Sequence, residues 1–178
     1  SELEKLLRDM EEATKRHDEM LKKLNDEIRK VVERILKELE DLNRRLEEIV
    51  RRLKEESKNN GDKDRILEEI RRVVRELEER HDRIEEEIRR VLERLEREHE
   101  RLLEHNRELL EDIKRRLSKT EEADDVRRRL ERLHRELRKS VETSKKHLKE
   151  LLDRLAKSIE DSKKHARELL KRLEEDIK

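Results

Sequence analysis

The sequence predicts an all-α fold, an up-down-up antiparallel three-helix bundle of coiled-coil-like character with helices of about 55 residues. Three observations carry this. An apolar residue recurs every three or four positions through almost the whole chain. Only two short stretches interrupt that rhythm. Helix breakers are nearly absent, with no Pro and one Gly in 178 residues. A single bundle over 1–178 is expected, with helices at about 2–57, 63–118 and 121–178.

The first helix presents Leu3, Leu7, Met10, Thr14, His17, Leu21, Leu24 and Ile28 in alternating steps of four and three. It takes an extra step of four to Val32 and continues through Ile35, Leu39, Leu42, Leu46, Ile49 and Leu53. The mean step of about 3.57 residues lies between the 3.5 of a left-handed coiled coil and the 3.6 of a straight helix. The first interruption, SKNNGDKD at 57–64, offers Asn59, Asn60 and Gly61 as a helix C-cap. Asp62 or Asp64 then serves as N-cap for the second helix. The second stripe runs Ile66, Ile70, Val73, Leu77, His81, Ile84, Ile88, Val91, Leu95, His99, Leu102, Asn106, Leu109, Ile113 and Leu117. At SKTEEADD, 118–125, Thr120 reads as an N-cap and Glu121 to Asp125 as an acidic first turn suited to the helix dipole. The third stripe is Val126, Leu130, Leu133, Leu137, Val141, Ser144, Leu148, Leu151, Leu155, Ile159, Ser162, Ala166, Leu169, Leu173 and Ile177. Equal helices of about 80 Å joined by short turns must lie antiparallel.

Charged residues make up 57% of the chain, which would suggest disorder if the apolar residues were scattered. They are ordered instead, and their 30% share is close to the ~2/7 expected for two apolar positions per heptad. The uniform Leu/Glu/Lys/Arg usage is that of a surface filled for helix propensity. The 51 basic and 51 acidic side chains cancel, so no basic stripe exists for phosphate, and no aromatic ring is present to stack on a base. No nucleic-acid partner is expected. No apolar run approaches the ~18 residues of a membrane span, and SELEKLLRDM has no signal-peptide core, so a soluble chain without targeting signal, of recombinant origin, is expected. Without cysteine there is no disulfide.

Polar residues intrude on the stripes at one interval. Asn25 and Asn43, His81 and His99, Ser140 and Ser158, Ser144 and Ser162, and His147 and His165 are each 18 residues apart. Eighteen residues are five turns, so each pair shares one side of its helix about 27 Å apart. With turns centred near 60 and 120, residue i of the first helix lies level with about 121 − i, and residue j of the second with about 241 − j. This groups Asn25, His99, Ser140, Ser144 and His147 in one cross-section, and Asn43, His81, Ser158, Ser162 and His165 in another. A third group, Thr14, His17, His105, Asn106 and His134, collects near the second turn. A His flanked by Asn and Ser from the other two helices would satisfy both ring nitrogens. Satisfaction matters, because a buried unpaired polar group costs about 1–3 kcal/mol. These layers would also penalise a register slip that set His against Leu. Neutral imidazoles so buried would lose stability to acid between about pH 6.5 and 4.5, with the layers of His81 and His99 going first.

Sharper chemistries find little support. Glu-x-x-His occurs at Glu78/His81, Glu96/His99 and Glu131/His134, the spacing of carboxylate-bridged dimetal sites. Those sites need two such motifs and two further carboxylates at one level of a four-helix bundle, and here the motifs are turns apart. His17, His105 and His134 form at most an adventitious Zn²⁺ site. There is no Gly-rich phosphate loop, no His-Glu-x-x-His and no nucleophile–base pair in a pocket. No cofactor, no metal and no enzymatic activity are expected.

The leucine stripe, the Glu/Lys/Arg surface and the capped turns resemble those of parametrically designed helical bundles. The Asn/Ser/His layers resemble the buried hydrogen-bond networks of that class, including its pH-responsive members. The resemblance covers the whole chain and implies a structural scaffold with no natural biochemical activity. In the pH-responsive members the histidine networks usually join separate chains, whereas one chain closes the bundle here. A monomer is therefore expected, with a homo-oligomer or a pH-triggered assembly as the alternative. A natural spectrin-like spacer would carry a core Trp and shorter helices, and this chain has neither.

Overall fold

A computed structural model describes residues 2–59, 61–116 and 121–178, without the side chains of Glu2, Leu3, Glu121 and Glu122. Its helices are α1, Glu2–Lys58, α2, Lys63–Arg116, and α3, Glu121–Ile177. Each follows from a long run of strong helix formers that buries one stripe. Asn60, Leu117, Ser118 and Thr120 lie outside the described residues, as does the side chain of Leu3.

The first turn shows why its residues are needed. The Gly61 N–H donates to the Glu56 carbonyl at 2.9 Å and the Asn59 N–H to the Glu55 carbonyl at 3.0 Å, closing the end of α1. A Cβ on Gly61 would stand 2.7 Å from the Glu56 carbonyl oxygen, so only glycine fits. Of the two candidate N-caps it is Asp62 that works: its Oδ1 accepts from the Asp64 N–H at 3.1 Å, and its carbonyl takes the first helical bond from Ile66.

Packing divides the chain into two compact units, Ser1–Arg29 with Val91–Glu150, and Lys30–Arg90 with Leu151–Lys178. Each draws one segment from every helix. In the first unit, one apolar cluster joins Leu6, Met10, Leu110, Ile113, Ala123, Leu130 and Leu137, and another joins Leu21, Leu102 and Val141. His17 and Asn106, both buried, fall between the two clusters along α1 and α2. In the second unit the buried residues include Ile35, Leu46, Leu53, Ile66, Leu155, Ile159 and Leu173.

Ion pairs report the register. Glu27–Arg94 in the first unit, and Arg34–Glu87, Arg52–Glu69 and Glu56–Arg65 in the second, all have residue numbers adding to 121, the antiparallel relation expected for α1 and α2. The contacts Asn25–Ser144 and Asn43–Ser162 both span 119 residues, so α1 and α3 run parallel. For α2 and α3, His99–Ser144 and His81–Ser162 have numbers adding to 243. That is two residues from the expected 241, about 3 Å of helix rise.

The stripe needs correction where two apolar residues are adjacent. Leu6 is buried rather than Leu7, Val50 rather than Ile49, Leu110 rather than Leu109, Leu152 rather than Leu151, and Leu170 rather than Leu169. Ala123 is buried ahead of the half-exposed Val126, and Leu133 and Val91 are also half-exposed. A helix facing two partners covers a stripe wider than one residue, so spacing alone does not choose between neighbours.

Candidate functional site

In the first unit, the Asn25 side-chain amide donates to the carbonyl of Leu21, one turn back, at 3.0 Å, which fixes its orientation. The same Nδ2 reaches Ser144 Oγ on α3 at 3.4 Å, and Ser144 Oγ lies 3.1 Å from His99 Nε2 on α2. Asn25 donates to Ser144 Oγ, which keeps one hydrogen and one further lone pair with which to bond His99 Nε2. His99 Nδ1 is buried without a hydrogen-bond partner; the Leu95 carbonyl is near enough to act electrostatically but does not close a bond.

In the second unit the same three residue types meet. His81 Nδ1 lies 2.7 Å from the Leu77 carbonyl, an acceptor only, so Nδ1 carries a proton. His81 Nε2 is 3.0 Å from Ser162 Oγ, which is 3.3 Å from Asn43 Oδ1. With a neutral ring, Ser162 must donate to Nε2, and Asn43 must turn its amide to offer Nδ2–H to Ser162. With a charged ring the chain reverses: Nε2–H donates to Ser162, which donates to Asn43 Oδ1. Every member is bonded in either direction. The two layers share residue types but differ at the asparagine, whose amide the Leu21 carbonyl fixes at Asn25.

The expected geometry thus requires correction. In neither layer does the imidazole sit between Asn and Ser; the serine is the middle member, because α3 approaches both other helices at that level. Ser140, His147 and His165 are exposed, so the structure brings none of them into a buried layer. Each is at least one position off the α3 stripe, and one position turns a side chain by about 100°. Ser158 is partly exposed and donates to the Arg154 carbonyl at 3.1 Å, within its own helix.

The third group does not form a network. Thr14 donates to the Met10 carbonyl at 2.8 Å, again within its own helix. His105 is exposed. His17 is 3% exposed and neither ring nitrogen has a partner, while Asn106 Nδ2 and His134 Nδ1 are likewise buried and unbonded. Burial holds the pKa of His17 below the ordinary histidine value, with Asp18 opposing and His105 assisting. Burial does the same at His99, where the Leu95 carbonyl and Glu98 oppose and Lys145 and His17 assist. It does so again at His134, aided by Arg138 and Lys114. All three belong to the first unit.

Among the described residues no group of three His, Asp or Glu side chains converges to hold a metal ion, and no helix is long and apolar enough to cross a membrane. The His81 bond to Leu77 was missed by sequence reasoning; the leucine four residues earlier, one helical turn away, was the available signal.

No protein-family model matches the sequence, and no curated protein does. A solved structure described as a computationally designed three helix bundle is similar over 99% of this chain and 89% of its own, with a TM-score of 0.56 and 22% identity. The fold is accordingly a three-helix bundle.

Proposed function

We propose that this three-helix bundle is a designed structural scaffold, without catalytic activity, whose buried imidazoles make it sensitive to acid. The observation that carries the reading is the pair of Ser-centred layers, Asn25–Ser144–His99 and Asn43–Ser162–His81, repeated at one interval of 18 residues in a chain of uniform helix formers. Such layers specify register rather than perform chemistry. The acid-sensitive part is the first unit, where His17, His99 and His134 are desolvated and lack partners on at least one nitrogen. Protonation there places charge beside Lys145, Arg138 and Lys114.

Their folded pKa values are lowered, so the unfolded chain binds protons more readily. Stability is fully present above the unfolded value of about 6.5 and is lost as pH falls below it. Chemical denaturation at pH 7.5 and 4.5 is the test. A lower midpoint at pH 4.5, flattened in a His17→Leu, His99→Leu, His134→Leu variant, supports the proposal; equal midpoints in the parent overturn it.

We take the working state as a monomer. Among the described residues the large exposed apolar side chains are Met20 and Leu36, too few for an interface burying about 1,200–2,000 Å². Light scattering should return 22.1 kDa at both pH values; a larger mass at one of them would support pH-triggered assembly instead.

A further inference from the structure

The 18-residue repeat that builds the two polar layers is not kept at every apolar position. On α3, Leu148 has the smaller Ala166 as its counterpart 18 residues on, and Ala166 lines a cleft together with His81. Leu92 on α2 is likewise matched by the smaller Val74. Where both truncations meet, the second unit contains this cleft between α2 and α3, of about 160 Å³ and floored by Ile70, Val74, Leu77, His81, Ala166 and Leu170. Ile70, Ala166 and Leu170 are each at most 5% exposed, so the hole reaches the packed interior.

The chemistry of the walls selects the occupant. Both nitrogens of the His81 ring are committed, to the Leu77 carbonyl and to Ser162, so the deepest polar group offers nothing more. Water needs two to four polar partners to be held, which the apolar floor does not offer; a sealed apolar cavity of about 150 Å³ takes a benzene-sized molecule, and this cleft, open on one side, has a floor of similar size. The space is well below the ~300–1,000 Å³ that drug-sized ligands fill, which sets an upper size. Lys163 stands at the rim, tied to Glu85, with Arg167, Lys171, Glu78 and Glu174 around the opening. Cations and carboxylates alternate there, and the mouth favours no charged ligand. We infer that this cleft is a binding site for one small, uncharged apolar molecule of about benzene size.

Fluorobenzene followed by ¹⁹F NMR against the intact chain is the test. A single saturable site is expected in the ¹⁹F titration, and ¹H–¹³C spectra of the protein should show methyl shifts confined to Ile70, Val74, Leu77, Ala166 and Leu170. Ala166→Leu, which restores the residue of the other repeat, should weaken binding at least tenfold. Val74→Leu narrows the same space from the opposite helix and serves if the first variant does not fold. Failure of the parent to saturate up to the solubility limit of fluorobenzene overturns the inference. So does parental affinity retained in both folded variants, or in the one that folds.

Discussion

Among the described residues His17 is buried and bonded at neither ring nitrogen. An unpaired buried polar group costs about 1–3 kcal/mol, and an apolar replacement of similar volume removes that cost. His17→Leu should therefore stabilise the fold at pH 7.5 by about 1 kcal/mol or more, measured as a rise in denaturation midpoint at unchanged slope. Ser162→Ala should do the opposite, because it strands His81 Nε2 and the Asn43 amide together; a loss of about 1–3 kcal/mol is expected. The tautomers are directly observable. The ¹⁵N shifts of His81 should report a proton on Nδ1, as the Leu77 carbonyl requires.

Among the elements, the turn between α1 and α2 has the sharpest requirements. Gly61 has no room for a Cβ against the Glu56 carbonyl, and Asp62 caps α2 through the Asp64 N–H. Gly61→Ala is expected to cost more than about 1 kcal/mol, since the backbone must move to admit a methyl group. Asp62→Ala should cost about 1 kcal/mol, the usual worth of an N-cap. Urea titration of both variants checks the order. The many exposed pairs within one helix, such as Arg16–Glu12 and Arg44–Glu40, should contribute little beyond propensity, at most about 0.5 kcal/mol each.

For the molecule as a whole, the asymmetry between the units is the consequential feature. The three imidazoles whose pKa is lowered by burial all lie in Ser1–Arg29 with Val91–Glu150. Acid should therefore open that unit first. Hydrogen exchange at pH 4.5 should show protection lost around Leu21, Leu102 and Val141 before it is lost around Ile35, Leu46 and Leu155. Simultaneous loss in both would count against a localised origin.

Local sequence was enough to set the helices, their ends to within about two residues, and the antiparallel register, because each rests on periodicity, capping chemistry and the arithmetic of short turns. It also singled out His81, His99, Ser144 and Ser162, since an 18-residue interval is a property of one helix alone. The packing of helix on helix settled the rest. Which of two adjacent leucines is buried, and why the serine rather than the imidazole is the middle member of each layer, depend on the approach of another helix. So does the cleft at Ala166: one missing side chain becomes a hole only when no neighbour moves in to fill it.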